Sequence, residues 1–173
     1  TWNGTDSTEN VVADGLYTIR IQAKDDADNA SIIASDSVMV DNTAPVLSNI
    51  TVNPSPFAPN GNGVLDETTL FYTLTDNSAQ CTVEISVYYG ALKIRALQTP
   101  TLTNTGANQI NWDGKDDSGT YQNDGTYTFK IKGTDEGYNT SVESTVDVVI
   151  NKGAPTLQKA RFVDNRNGVS TDD

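Results

Sequence analysis

The stretch Asp124-Gly125-Thr126-Tyr127-Thr128-Phe129-Lys130-Ile131-Lys132 joins a turn signal to a strict alternation of apolar and polar residues. An Asp-Gly pair favours a tight turn because glycine adopts a positive φ angle without a steric cost. Alternation with a period of two puts the apolar side chains on one face of a strand and the polar ones on the other. The stretch therefore predicts a β-strand that begins after a turn and buries Tyr127, Phe129 and Ile131.

Similar alternating runs elsewhere in the chain predict further strands. The runs cover residues 49–52, 69–74, 81–87, 92–95, 127–132 and 142–150, with a short strand at 109–112. Turn clusters separate them, and no segment has a convincing helical period. Seven short strands in about 110 residues indicate an all-β fold, an immunoglobulin-like antiparallel β-sandwich. The residues expected in its core are Val83, Ile85, Trp112, Tyr127, Phe129, Ile131 and Val146.

Parts of this pattern recur at a constant distance along the chain. Trp2-Asn3-Gly4-Thr5-Asp6 returns as Trp112-Asp113-Gly114-Lys115-Asp116, and Asp14-Gly15-Leu16-Tyr17 returns as Asp124-Gly125-Thr126-Tyr127. A fixed period of this kind is typical of tandem repeats, in which each unit is one structural module. The sequence therefore predicts immunoglobulin-like tandem repeats of about 110 residues.

The period divides the chain into one whole unit and two partial ones. Residues 46–155 are the complete repeat, residues 1–45 are the C-terminal half of a preceding repeat, and residues 156–173 start a following one. Half a sandwich cannot cover its own apolar face. We expect a piece of a longer array, which a first residue other than Met also favours. The alternative is that partial units of neighbouring molecules complete each other.

The composition argues against several classes of function. With 11 Lys and Arg against 23 Asp and Glu, the net charge is −12, so no nucleic-acid partner is expected. The chain has no His and one Cys, hence neither the usual general base nor the usual zinc ligands, and we expect no enzyme. Cys81 lies on the apolar side of its run and should be buried. No apolar stretch approaches the ~20 residues that cross a membrane, so no membrane insertion is expected.

Three stretches, taken in order, resemble one family. They are residues 57–66, which contain Asn60-Gly61-Asn62-Gly63, residues 112–119, which begin Trp112-Asp113-Gly114, and Asp124-Gly125-Thr126-Tyr127. Together they resemble the FlgD-type immunoglobulin-like domain, which occurs in flagellar hook-capping proteins and as repeats in secreted or surface proteins of bacteria and archaea. The chain departs from the family pattern at Asn62, where Asp is common. The resemblance implies a non-catalytic, extracytoplasmic module with a structural or binding role.

Two groups of oxygen-bearing side chains predict calcium sites, since calcium takes six to eight oxygen ligands. Asp41 and Asn42 lie at the first junction, in a linker that resembles those of cadherin-like and bacterial immunoglobulin-like arrays. Asn60, Asn62 and Asp66 share one loop. The second junction carries Lys152, whose ammonium group would repel a cation. The alternative is that these Asn and Asp residues cap turns and that the proline-containing linker binds no ion.

These features lead to one main functional hypothesis and two alternatives. The main one is a structural or spacer repeat of an extracellular surface layer, stalk, adhesin or filament protein, whose partners are neighbouring repeats of the same chain or like subunits. The first alternative is an accessory module of a secreted enzyme such as a protease. The second is a carbohydrate-binding module that uses exposed aromatic residues such as Tyr88, Tyr121 and Tyr138.

Overall fold

The computed structural model describes residues 1–153, and within them nine β-strands and no helix. The strands are β1 Gly15–Ile21, β2 Ala34–Val40, β3 Val46–Asn53, β4 Thr68–Thr75, β5 Gln80–Tyr89, β6 Leu92–Asn104, β7 Gly106–Trp112, β8 Gly125–Thr134 and β9 Ser144–Ile150. The predicted all-β class is confirmed. Among the described residues there is accordingly no helix that could cross a membrane.

Strands β3 to β9 form an antiparallel sandwich of two sheets. One sheet has the order β3-β4-β7 and the other the order β6-β5-β8-β9. All the pairings between these strands are antiparallel. This arrangement confirms the immunoglobulin-like sandwich predicted from seven alternating runs.

The core of the sandwich centres on Trp112, which is fully buried at the end of β7. Its ring lies 5.5 Å from that of Phe57, 5.3 Å from Tyr127 and 5.9 Å from Phe129, all in edge-to-face geometry. Such aromatic pairs add to the free energy gained from area burial alone. The indole N–H donates to the Lys115 carbonyl at 2.9 Å, so no polar group of the ring is left unpaired.

The predicted core is buried except at one position. Six of the seven residues named from the sequence are buried, and Val146 is only partly buried. Two other predictions about strands were wrong in detail. Val142 lies before β9 and is 88% exposed, because β9 starts only at Ser144. The strand expected at 92–95 continues to Asn104 as β6.

Strands β1 and β2 form a separate two-stranded sheet whose apolar side chains are mostly exposed and nowhere buried. Their pairing, from Gly15 opposite Val40 to Ile21 opposite Ala34, has the same register as the pairing of β8 and β9 one sequence period later. Residues 1–45 thus form a hairpin without a facing sheet. The start of a following repeat at 156–173, and the end of the complete one at 155, lie outside the described residues.

The local hydrogen bonds of the two segments also correspond. The Trp2 indole donates to the Thr5 carbonyl at 2.7 Å, as Trp112 does to Lys115. Tyr17 donates to the carbonyl four residues before it at 2.9 Å, and Tyr127 does the same at 2.9 Å. The burial differs, since Trp2 is 39% exposed and Trp112 is not exposed at all. Turn and strand geometry therefore forms without a completed core.

Replacing Phe129 by Ala should lower the free energy of unfolding by about 3–5 kcal/mol, because the change leaves a cavity in a closed core. Ile19 lies one sequence period earlier, on β1 of the separate hairpin, and is 42% exposed. The matched Ile19→Ala change should therefore cost below about 1 kcal/mol. Urea unfolding of both variants and the parent chain measures the difference. A loss below about 1 kcal/mol for Phe129→Ala would show that the core has been assigned wrongly.

Candidate functional site

The first junction, residues 41–45, packs directly against one end of the sandwich. Pro45 is buried, and its Cβ lies within 3.6 Å of the place where a Cβ on Gly133 would be. Proline also fixes the backbone φ angle of the linker. The connection between β2 and β3 is therefore short, stiff and partly built into the sandwich.

Asp41 is the residue that joins the two sides of this junction. Asn77 donates to its carboxylate at 2.9 Å and Ser78 at 3.4 Å, both from the loop between β4 and β5. Asn139, from the loop between β8 and β9, donates to the Asp41 carbonyl at 3.0 Å. Three donors from two loops of the complete sandwich thus hold the last residue of the preceding hairpin.

Three carboxylates meet at the same end of the sandwich. One oxygen each of Asp41, Asp76 and Asp135 lies within 4.8 Å of the others. Asp135 is 5% exposed and accepts two hydrogen bonds from Asn139, at 2.8 and 2.9 Å. Asp76 accepts one from the Ser78 N–H at 3.0 Å, while its Oδ1 is buried and has no partner among the described residues. This set of hard oxygen ligands suits a cation such as calcium.

The three carboxylates also affect the pKa of the buried Cys81 thiol. Burial raises the pKa of Cys81 to about 12, and the negative charges of Asp76, Asp135 and Asp41 contribute to the shift. A thiolate would be both desolvated and repelled. Cys81 is therefore a protonated, unreactive core residue, as its position in the alternating run predicted.

Asn42, the second residue predicted at this junction, makes its hydrogen bonds with residues just before β1. Its backbone N–H donates to Asp14 Oδ1 at 2.7 Å, and its side-chain amide donates to Asp14 at 2.9 Å and to the Val12 carbonyl at 3.1 Å. A hydrogen bond from the Thr43 hydroxyl, followed by that from Asn42, holds the pKa of Asp14 below its usual value. Asp41 alone of the predicted pair lies in the carboxylate cluster.

The predicted loop residues Asn60, Asn62 and Asp66 lie together, but away from the junction. The Asp66 carboxylate accepts the backbone N–H groups of Asn60 at 2.9 Å, Gly61 at 2.8 Å and Gly63 at 2.6 Å. The side-chain oxygens of Asn60 and Asn62 accept backbone N–H groups two residues further on, at 3.0 and 2.8 Å. Converging N–H groups suit an anion, so the geometry here favours the turn-capping alternative.

The two predicted sets lie at opposite ends of β4. The loop precedes Thr68 and the junction cluster follows Thr75, so the strand separates them by about 25 Å. Asp76 and Asp135 were not predicted as members of the cluster. A signal was present: Asp41, Asp76 and Asp135 each come directly after the last residue of a strand.

The three tyrosines of the carbohydrate-binding alternative do not form one surface. Tyr121 precedes β8 and Tyr138 follows it, so they lie at opposite ends of that strand. The Tyr88 ring lies on a sheet face, 4.9 Å below the Lys130 ammonium group. A flat platform of aromatic rings is therefore not built from these residues.

The loop around Asp66 should make stability depend on acidic pH. Hydrogen bonds from the backbone, with that of Asn60 contributing most, lower the pKa of Asp66 from its usual 3.8. Because the pKa is lower in the folded state, ionised Asp66 contributes its full stabilisation of the fold at pH values above about 3.8. This stabilisation is lost as the pH falls through the folded-state pKa. Asp66→Ala should therefore lower Tm at pH 7, and this Tm difference should shrink as pH falls from 4 towards 2. A constant difference over that range would contradict the capping role.

Residues 60–137 match the family model of the FlgD Ig-like domain, a range that begins in the Asp66 loop and ends beyond β8. No curated protein matches the chain. Among solved structures, dimeric latent PorU from Porphyromonas gingivalis is similar, with 18% sequence identity and a TM-score of 0.49. The match covers 82% of this chain and 13% of the PorU chain. PorZ of the same organism, an essential surface component of its type-IX secretion system, has 15% sequence identity and a TM-score of 0.34. That match covers 60% of this chain and 11% of the PorZ chain.

This chain spans only a small part of either solved structure, and likenesses this distant carry no information about its role. The range matched by the family model contains most of the first sequence motif and all of the other two. The family whose model matches residues 60–137 is therefore the one that the Asn60-Gly61, Trp112-Asp113-Gly114 and Asp124-Gly125 motifs predicted.

Proposed function

We propose that this chain is a non-catalytic, extracellular spacer, in which immunoglobulin-like repeats stand end to end in a surface layer, stalk, adhesin or filament protein. The observation that carries the proposal is the junction. Buried Pro45 and the three donors on Asp41 attach one unit rigidly to the end of the next. A rigid, short connection sets the reach and direction of an array, which is what a spacer needs.

The second junction supports a repeated connection. The backbone N–H of Lys152 donates to Asp124 at 3.0 Å, as that of Asn42 does to Asp14 at 2.7 Å. The Lys152 ammonium group donates to the Gln122 carbonyl at 2.7 Å, where the Asn42 amide donates to Val12 at 3.1 Å. Two linkers that differ in sequence thus make two corresponding contacts one period apart, as tandem repeats would.

An extracellular location fits the residues as well as the family resemblance. The structure needs no reduced surface thiol, because its single cysteine is buried and protonated. A role as an accessory module of a secreted enzyme would use the same rigid junction. The full-length sequence distinguishes the two roles: further units of the same length favour the spacer, whereas an adjoining catalytic domain favours the accessory module.

The rigidity of the junction can be measured with two spin labels. Ile32→Cys and Leu92→Cys place labels on exposed positions of the hairpin and the sandwich, 92% and 66% exposed in the parent, while buried Cys81 should remain unlabelled. We expect one narrow distance distribution by pulsed electron resonance. Replacing Asn77 and Asn139 by Ala should broaden it, because Asp41 then loses two of its donors.

A matched control is Asn111→Ala, which removes the hydrogen bonds to Thr69 and Glu67 at 2.9 and 3.2 Å, on the sandwich but away from the junction. It should leave the distribution unchanged. A broad distribution in the parent chain would refute the rigid spacer.

We also propose that calcium strengthens this junction, with Asp41, Asp76 and Asp135 as ligands. The observation that favours it is the buried, unpartnered Oδ1 of Asp76 beside two other carboxylates. A cation would neutralise their repulsion and satisfy this oxygen. Asn151 takes the place of Asp41 at the second junction, so that junction offers one carboxylate fewer and should stay empty.

Calcium in the millimolar range should raise Tm more than sodium chloride of equal ionic strength. At a hundredfold excess over Kd, binding to the folded state alone adds about 2.7 kcal/mol. Asp76→Asn should remove most of the calcium-dependent rise, and Asp66→Asn should preserve it. Loss of the rise in Asp66→Asn alone would assign calcium to the loop of Asn60, Asn62 and Asp66 instead. Equal effects of calcium and sodium in the parent would refute both sites.

A further inference from the structure

The complete sandwich has four edge strands, and an unpaired strand edge is a template for another strand unless it is covered. The strands at these edges are β3 and β7 of one sheet and β6 and β9 of the other. Three of them carry features that hinder pairing. The fourth, β7, does not.

The loop after β7 covers part of the β6 edge. The Asp117 carboxylate accepts the N–H of Ala96 at 3.1 Å, and the Asp117 N–H donates to the Ile94 carbonyl at 3.3 Å. The pairing of β6 with β5 also shifts register three times, and Pro100 removes one backbone donor. A second strand could not add along such an edge without displacing the loop.

The edges of β9 and β3 are hindered by other means. Phe57 donates to the Val149 carbonyl at 3.0 Å and accepts from the Asn151 N–H at 2.9 Å, so the segment around it covers β9. Strand β3 has a register shift between Ser48 and Thr51, with Asn49 at a φ angle of 51°. Bulges of this kind twist an edge away from a regular partner.

Strand β7 is regular along its whole length. All seven residues, from Gly106 opposite Leu74 to Trp112 opposite Thr68, pair with β4 without a shift. Beyond this pairing, no backbone group of residues 107–112 bonds to another part of the described chain. Side-chain bonds of Asn108 cap only the Asn104 and Gly106 carbonyls, at the start of the strand.

This edge is also free of charge in a strongly acidic chain. Residues 96–112 contain no Asp, Glu, Lys or Arg, although such residues make up 20% of the sequence. Proteins commonly place a charged residue, often Lys, on an edge that must stay unpaired. Glu67 and Asp113 lie at the Trp112 end of the strand, and Asp76 lies two residues beyond the Leu74–Gly106 pair at its other end.

We propose that the β7 edge is an interaction surface for a second copy of this chain, whose own β7 pairs with it antiparallel about a two-fold axis. This pairing is self-complementary and would join two three-stranded sheets into one of six strands. This proposal rests on the proposed spacer function, since pairing of two copies would place neighbouring arrays side by side. A second copy is the favoured occupant because each copy supplies the same regular strand without charged residues, so two chains of net charge −12 can pair there without setting charged side chains of β7 opposite each other.

Antiparallel pairing also keeps Glu67 and Asp113 of one copy away from the same residues of the other. It sets the Trp112 end of one β7 opposite the Gly106 end of the other, so Glu67 and Asp113 of the two copies lie about 20 Å apart along the strands. Parallel pairing would bring Glu67 and Asp113 of the two copies side by side. In the register centred on the middle residue, the two copies of exposed Gln109 lie opposite each other.

The central position allows a charge-exchange experiment on the full chain. Gln109→Lys and Gln109→Glu each place like charges opposite each other and should abolish the dimer, whereas an equimolar mixture of the two should restore it. Thr51→Lys, on exposed β3 of the same sheet, is the matched control and should leave dimerisation unchanged. Sedimentation velocity over a range of concentrations measures the association.

Amide exchange locates the contact. In the parent, exchange within residues 106–112 should slow as concentration rises, and in Gln109→Lys it should not. A parent chain that stays monomeric would overturn the proposal, as would dimers that persist in Gln109→Lys. If Ile19→Lys abolishes the dimer while Gln109→Lys retains it, the exposed hairpin face is the contact instead. Each of these outcomes leaves the spin-label test of the junction unaffected, so the two proposals fail separately.

Discussion

Burial of the Trp112 ring is the interaction on which the rest of the sandwich depends. The ring belongs to β7 of the three-stranded sheet, and its neighbours Tyr127 and Phe129 belong to β8 of the other. Phe57 closes a third side, and its backbone is itself bonded to β9. Removing either sheet would expose the ring to water. Trp2 shows the effect of a missing sheet on a tryptophan ring. It makes the same hydrogen bond as Trp112 but remains 39% exposed.

The alternating runs predicted the strands that have one buried face, since only those strands carry a period of two in hydrophobicity. The second half of β6 could not be found in this way. Residues 96–104 are mostly Thr, Gln and Leu on an edge whose register shifts break the alternation. The start of β9 was misplaced for a related reason. Val142 has the apolar character and the spacing of a strand residue but lies in the turn that precedes it.

The candidate site was predictable only in part, because its members come from three distant segments. Asp41 was identified from its linker motif. Asp76 and Asp135 join it only because β2, β4 and β8 all end at the same end of the structure. The loop of Asn60, Asn62 and Asp66 has the same residue types, but there the backbone N–H groups already use the oxygens. Composition identified both places equally; only hydrogen-bond partners distinguish them.

The distribution of charge limits how units of this kind can meet. With a net charge of −12, two such surfaces repel each other least where carboxylates accept hydrogen bonds across the contact or where no charge is present. The junction is of the first kind, since Asn77 and Ser78 both donate to the Asp41 carboxylate. The β7 edge is of the second kind, since residues 96–112 carry no charge. The two surfaces lie at an end and along a side of the sandwich, so the proposed axial and lateral contacts would not compete for the same residues.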